Sequence, residues 1–515
     1  MRVIDYFDRG ATFGPDRPCL VSDERSTTYA ETARRSHQIA KALLRDGFTR
    51  GEKAAVIGPN AVEPFECILG IFRAELAWVP VNYRNGVDEN CYVLHQFDVA
   101  ILFFHSETAE QVKAFRERCP NVRRYICIDR PFEGLAALDP WIDPYDGPAP
   151  PCQGGRDDIV TISPTGGTTG KPKGVTWSNL TWQTMIANQI ASQPCRTPPV
   201  HLVVAPMTHA AGVIGMVMMS IGATNVILRG FDPKRVIDAI AAHRVTHLFL
   251  PPTALYGLLA HPDVRKGDYS SLLYFTYGAA PTSTAKIREA VEVFGPCMQT
   301  LFGQVEAPAS CTCLPPWELV ENGVLREDRL ASCGRRMLLT QVEIMDDDGR
   351  LLPAGQPGEI VVQGNLVMRG YYKNEAATAE VSVNGWHHTG DIGYFNDEGY
   401  LFIVDRKKDM IISGGFNIYP SEIEQVLSAH PDVHQCAVIG IPDDKWGEAV
   451  HAVVQLKPGA RADAGELIAA MKDKLGSVKA PKGIDFVDEL PRTGAGKISK
   501  KDLRARYWER VGRKI

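Results

Sequence analysis

The segment Ser163-Pro-Thr-Gly-Gly-Thr-Thr-Gly-Lys-Pro-Lys-Gly174 packs four glycines, three threonines and two lysines into twelve residues, directly after the apolar run Asp158-Ile-Val-Thr-Ile162. Glycine lets backbone N–H groups approach an anion closely. The hydroxyls of Thr165, Thr168 and Thr169 can donate further hydrogen bonds, and Lys173 adds a point charge. A buried strand running into such a loop is suited to holding phosphate. A Walker A loop needs four residues between its glycines and then Gly-Lys-Ser/Thr. Here three residues separate Gly166 from Gly170, and Pro172 stands where a magnesium-binding hydroxyl belongs, so the P-loop reading fails. A glycine-rich surface turn is the simpler alternative if nothing else supports the loop.

Other short segments carry groups suited to a nucleotide. Gly278, Ala279 and Ala280, in Tyr277-Gly-Ala-Ala-Pro281, are small enough for a flat ring to lie on the backbone. In Gln299-Thr-Leu-Phe-Gly-Gln-Val-Glu306, Phe302 offers a stacking ring and Glu306 a carboxylate that can hold Mg²⁺ beside phosphate oxygens. Asp391, in His388-Thr-Gly-Asp391, can accept both hydroxyls of a ribose. Asp405-Arg-Lys-Lys-Asp409 is a charged run, and Pro491-Arg-Thr-Gly-Ala-Gly-Lys497 is a second glycine-rich turn ending on a lysine. Taken singly, each is better explained by packing, a turn or a solvated face.

The elements that must position these groups alternate. Helical periodicity over 28–46 is followed by a strand at 53–57, a helix that Asn60 can cap, and strands at 77–81 and 100–104. Residues 131–156 read as a linker or surface loop. Further strands at 202–205, 246–250 and 272–275 form a second set. From 330 to 405 the texture changes to strands joined by Asp348-Gly349 and Glu398-Gly399 turns, a small antiparallel unit. A compact α/β pattern follows, with Ser421 and Glu424 spaced as a capping box. The expected architecture is α/β: a large N-terminal domain, 1–405, of two parallel-rich α/β subdomains plus the antiparallel unit, then a small mobile α/β C-terminal domain, 406–515.

The ordered set of motifs from 163 to 497 resembles the adenylate-forming superfamily of acyl- and aryl-CoA synthetases, luciferases and peptide-synthetase adenylation domains. The resemblance extends over nearly the whole chain, and its look is that of fatty-acid or aryl-acid CoA ligases. It implies that Thr165, Gly166, Gly167, Thr168, Thr169, Gly170 and Lys173 bind the phosphates of ATP, and that Gly278–Ala280 line the adenine pocket with Phe302, Gly303, Gln304 and Val305. It further implies Mg²⁺ on Glu306, ribose on Asp391, nucleotide contacts from Arg406 and Ile403, and a hinge at Lys408. Lys497 matches the catalytic lysine, and Gly414, Gly415 and Phe416 would line the pantetheine path. Val305 departs from the family's threonine, and Thr208 in Pro206-Met-Thr-His209 replaces its aromatic residue. His209 would border the acyl pocket with Ala210, Ala211, Val213 and Gly278, although a satisfied core histidine is an equal reading.

The implied chemistry is attack of a carboxylate on the α-phosphorus of ATP, with release of pyrophosphate, then transfer of the acyl group to CoA with release of AMP. The stretch 207–228 holds no acid to meet an amino group, so the expected substrate is a nonpolar acid: fatty, branched, alicyclic or aromatic. Two rivals remain: an acyl-AMP ligase that loads a carrier-protein thiol, and a catalytically silent acyl or nucleotide binder.

Size and composition set the outer bounds. A chain of 515 residues, 44% apolar, exceeds one ordinary core. Net charge −5 argues against a nucleic-acid partner. The 12 cysteines lack metal-site spacing and suit reduced thiols in the cytoplasm. The uncharged stretch 210–228 is long enough for a membrane span, yet Gly222-Ala-Thr-Asn225 reads as a break between a buried helix and a strand. The oligomeric state is left open, a homodimer included.

Overall fold

The computed structural model describes residues 1–165, 171–443, 445–492 and 498–508, apart from the side chain of Asn417. Gly166, Gly167, Thr168, Thr169, Gly170 and Lys497 therefore lie outside the described residues.

Continuous apolar runs such as Val99–Phe104, buried at every position, suit a parallel sheet covered on both faces. That strand lies in a seven-stranded sheet ordered Ala136–Ala137, Arg124–Cys127, Val99–Phe104, Lys53–Ile57, Ala77–Val81, Ile159–Pro164, Gly174–Ser178. All neighbours are parallel except the last two, which are antiparallel. A nine-stranded sheet follows, with Met298–Phe302, Tyr274–Gly278, His247–Leu250, Val200–Val203, Thr224–Ile227 and Pro18–Val21 parallel in that order. Antiparallel strands flank it at both edges.

Strands Gln341–Met345, Gly358–Gln363, Trp386–Phe395 and Leu401–Arg406 build the antiparallel unit. The C-terminal sheet starts at Ile411–Ser413 and is dominated by the long pair Val433–Asp443 and Gly447–Leu456, with helices Pro420–Ser428 and Ala464–Lys479. The stretch 210–228 divides into the helix Ala210–Met219 and the strand Thr224–Ile227. No helix among the described residues is long and apolar enough to cross a membrane.

Three local expectations are corrected. The helix Val62–Arg73 has Ala61 at its cap and no side-chain cap bond. Asn60 instead donates to the carbonyls of Val204, Ala205 and Leu228 and accepts the Met207 N–H. Tying two sheets together satisfies more groups than one cap would. Residues 131–156 are not all loop: Leu138–Ile142 is a short helix whose Leu138, Trp141 and Ile142 are buried, with the Trp141 indole on Asp46 at 2.9 Å. The capping box at Ser421 does not form, because Pro420 already starts the helix. Ser421 turns to the Val404 carbonyl, and Glu424 accepts the Val438 N–H and pairs with Lys500 at 2.8 Å.

Candidate active site

Ligands in open parallel sheets collect beyond the carboxyl ends of the strands; there lie Gly278–Ala280, Phe302–Glu306 and His209, whereas Asp391, Ile403 and Arg406 belong to the antiparallel unit and Gly414–Phe416 to the C-terminal sheet. Tyr274–Gly278 and Met298–Phe302 are parallel neighbours with Gly278 opposite Leu301, so Gly278–Ala280 and Phe302–Glu306 leave the sheet side by side. Phe302 is 7% exposed and packs in the main core. A Cβ on Gly303 would lie 2.5 Å from the Ala309 nitrogen, so the chain folds back there only without a side chain.

Gln304 joins this segment to the antiparallel unit. Its Nε2 donates to the Thr389 carbonyl and to Asp391 Oδ2, both at 2.8 Å, while its Oε1 lies 3.2 Å from His387 Nε2. With the amide nitrogen on two acceptors, its oxygen must accept, which makes His387 an Nε2–H donor. Burial lowers the His387 imidazole to about 4, so it stays neutral at physiological pH. Asp391, in the strand Trp386–Phe395 rather than a turn, is buried and meets Arg406 Nε through Oδ1 at 3.1 Å. Gly390 has φ +70°, a conformation that favours glycine and lets the strand bulge just before Asp391. Glu359 accepts the Gly390 N–H at 3.0 Å and pairs with His388 and Lys407. Burial would raise its carboxyl, but the bond to His388 and the Lys407 charge outweigh that and hold it low. Ile403, half-buried, lies one strand over, paired with Gly393.

Glu306 is held from the other side. Tyr371 donates its hydroxyl to Oε1 at 2.8 Å, and the Met368 N–H meets the Glu306 carbonyl at 2.7 Å. Among the described residues no donor meets Oε2. Burial, then the Glu306 charge, pushes the Tyr371 phenol far above its usual range, so it remains a donor. The ring of Tyr371 also lies under Lys173, whose Nζ is 4.6 Å from its centroid. At the loop's stem, Thr165 Oγ1 accepts the Lys173 N–H at 3.0 Å and the Thr165 N–H meets the Lys173 carbonyl at 2.9 Å. The Val305 carbonyl accepts the Trp177 indole N–H at 2.7 Å. Among the described residues no cluster of three or more His, Cys, Asp or Glu could hold a metal by protein ligands alone. One carboxylate with an unengaged oxygen fits Mg²⁺, which takes one or two carboxylates and completes its shell with phosphate and water.

His209 caps the helix Ala210–Met219 without a side-chain cap bond. It is exposed rather than a core histidine, with Nε2 3.2 Å from Asn82 Nδ2. Asn82 follows the strand Ala77–Val81, so the carboxyl ends of both large sheets meet at His209. Ala211 and Val213 are buried and Ala210 half-buried. The Thr208 hydroxyl is buried without a hydrogen-bond partner, a polar group left over where the motif calls for a ring.

Lys408 sits in the turn Lys407–Asp409, directly after the strand that carries Arg406. Gly414 and Gly415 turn between Ile411–Ser413 and Phe416–Ile418; Gly414 donates its N–H to the Trp446 carbonyl, and Phe416 is 59% exposed. Arg492 and Ile498, which flank the undescribed residues 493–497, form an antiparallel bridge. Tyr371, Trp177, Asn82, His387 and Glu359 went unrecognised in the sequence. Only the Gly370-Tyr371-Tyr372 aromatic pair offers a local signal for any of them.

The comparisons with known proteins give the family to which this arrangement belongs. The AMP-binding enzyme model matches residues 7–372, and that of the AMP-binding enzyme C-terminal domain matches 422–497. The chain belongs to the AMP-binding enzyme family. It is 36% identical to a feruloyl-CoA synthase of an Amycolatopsis species over 97% of this chain and 98% of the relative. It is 41% identical to the medium/long-chain-fatty-acid–CoA ligase FadD8 of Mycobacterium tuberculosis, over 97% and 89%. Among solved structures it resembles the amide bond synthetase McbA of Marinactinospora thermotolerans, with a TM-score of 0.90 and 30% identity over 98% of this chain and 99% of that one. ATP-bound MatB of Rhodopseudomonas palustris is similar at a TM-score of 0.89 and 27% identity, over 98% and 99%.

Proposed function

We propose that this chain is an AMP-forming acyl-CoA ligase. It joins a nonpolar carboxylic acid to AMP at the expense of ATP, releasing pyrophosphate, and passes the acyl group to the CoA thiol, releasing AMP. The observation that carries the reading is the segment Gln304–Glu306: Gln304 grips Asp391, and two residues on Glu306 keeps one oxygen unengaged. Ribose and phosphate binding groups are thereby joined by a short, doubly tethered stretch.

In this reading Gly278–Ala280 and Phe302 take the adenine, Asp391 accepts the ribose hydroxyls, and Arg406 lies against the same sugar. Thr165, Lys173 and residues 166–170 hold the β- and γ-phosphates. Glu306 would hold Mg²⁺, which supplies neutralising charge to the phosphates. Lys497 would bridge the substrate carboxylate and an α-phosphate oxygen, stabilising charge that develops only as the bond forms. The domain boundary is placed at 405/406. Rotation about Lys408 would then withdraw Lys497 and bring Gly414–Phe416 to the acyl carbon for the thiol. Ala210, Ala211, Val213 and His209 border the acyl end. The names of the relatives, a feruloyl and a fatty-acid CoA ligase, support an aryl or fatty acid. The 12 free cysteines support a reducing compartment such as the cytoplasm, and a homodimer is one assembly to examine.

A pyrophosphate-release screen over fatty, alicyclic and aryl acids, with and without CoA, tests the reading. It expects acid-dependent pyrophosphate and a thioester product that appears only with CoA. Thioester formation on a carrier protein but not on CoA would replace the acceptor. Binding of ATP and acid without pyrophosphate exchange would sink the enzyme altogether.

A further inference from the structure

Tyr371 touches two groups of opposite charge with two different parts of one side chain. Its hydroxyl donates to Glu306 Oε1 at 2.8 Å, and its ring face lies 4.6 Å below the Lys173 ammonium. Glu306 and Lys173 come from segments more than a hundred residues apart, yet they share this neighbour and form no ion pair with one another. Such a pair would be the default for an ammonium and a carboxylate flanking one ring, and each would then be spent on the other.

The position of Tyr371 is itself fixed by backbone. Its N–H meets Thr378 Oγ1 at 2.8 Å, and it forms a bridge with Val175. On either side, Gly370 accepts the Thr176 N–H at 3.0 Å and Tyr372 donates to the Gly174 carbonyl at 2.7 Å. The segment thus runs as an extra strand along Gly174–Ser178, the arm that leaves the phosphate loop. The side chain is 8% exposed, so it has little room to swing away.

We propose that Tyr371 is a positioning residue for nucleotide binding: its hydroxyl orients the metal-holding carboxylate of Glu306, and its ring separates that carboxylate from Lys173. The hydroxyl can donate but, unlike an ammonium, does not neutralise the carboxylate, so Glu306 keeps its full charge for a cation. The ring face attracts Lys173 weakly enough to release it to a phosphate. This rests on the reading of Glu306 as the Mg²⁺ ligand and Lys173 as a phosphate contact, and the test separates the two.

The experiment is calorimetric titration of ATP into the full chain, with Mg²⁺ and with EDTA, on wild type, Tyr371→Phe, Tyr371→Met and Glu306→Gln. The ratio of the two dissociation constants measures what the metal contributes, independently of turnover. Tyr371→Phe keeps the ring and every backbone bond, so it should leave metal-free ATP binding unchanged and shrink the Mg²⁺-dependent tightening by about tenfold. Tyr371→Met removes the spacer as well, so metal-free ATP should also bind more weakly as Lys173 pairs with Glu306. A ratio lost in Glu306→Gln but intact in Tyr371→Phe overturns the orienting role. Metal-free binding intact in Tyr371→Met overturns the separating role. A ratio intact in Glu306→Gln overturns the metal assignment of Glu306 and this inference with it.

Discussion

Asp391 and Arg406 face each other across two antiparallel strands, with their Cα atoms in register and Arg406 Nε 3.1 Å from Asp391 Oδ1. The carboxylate is buried and the guanidinium half exposed. Gln304 holds the other oxygen, so the carboxylate lies in a fixed orientation. Such preorganisation lowers the cost of binding.

Gln304→Ala should therefore weaken ATP without touching the reacting atoms. We expect KM for ATP to rise about three- to tenfold, as for net loss of one ordinary hydrogen bond, since the amide acts on the carboxylate and not on the nucleotide, with kcat changed less. Asp391→Asn, which alters the proposed ribose contact itself, should be worse. Steady-state kinetics with varied ATP measure both, and a Gln304→Ala variant with unchanged KM would remove Gln304 from the site.

Val305 stands where the family places threonine. Its carbonyl is anchored by the Trp177 indole at 2.7 Å, so the backbone will not shift on substitution. The side chain is half-buried, and a threonine of the same shape can be accommodated. A neutral hydrogen bond contributes about 0.5–1.5 kcal/mol, so V305T should raise acid-dependent pyrophosphate release roughly two- to tenfold. No rise would mean that the missing hydroxyl is immaterial here.

Lys497→Ala should cost on the order of 10²–10³ in adenylation, as for loss of a transition-state donor. Thioester formation from preformed acyl-adenylate should be largely spared, since the proposed rotation would withdraw the lysine in that step. Measuring the half-reactions separately distinguishes this from unfolding, and adenylation near the wild-type rate would refute the assignment.

Acid should destabilise the fold before it reaches most carboxylates. Burial lowers His201 and His387 to about 4 and His247 to about 3. In the unfolded chain each takes a proton near 6.5. Between about 6.5 and 4 the native state thus binds fewer protons than the unfolded one, and stability falls as pH falls through that window. Each imidazole contributes up to about 1.4 kcal/mol per pH unit there. Thermal midpoints from pH 7 to 4.5 should decline, and less steeply in His387→Gln. A flat profile would contradict the burial of these rings.

The motifs to which the proposal assigns chemistry could be picked out because each is a contiguous run: 163–174, 299–306, 388–391, 405–424 and 491–497. So could the parallel and antiparallel units, since side-chain alternation and helical periodicity are local signals. Cap and linker expectations failed where distant groups competed for the same atoms. Asn60 left its helix for carbonyls almost 150 residues on, and Ser421 turned back to Val404.

The order of residues alone determined what kind of nucleotide chemistry this chain carries, because glycine spacing and the reach of a carboxylate or lysine belong to short segments. Folding decided which groups serve one another. Gln304 found Asp391 and His387, and Tyr371 came to stand between Glu306 and Lys173. Those pairings depend on strand register and on how sheets meet, and no periodicity in the chain records contacts between residues so far apart.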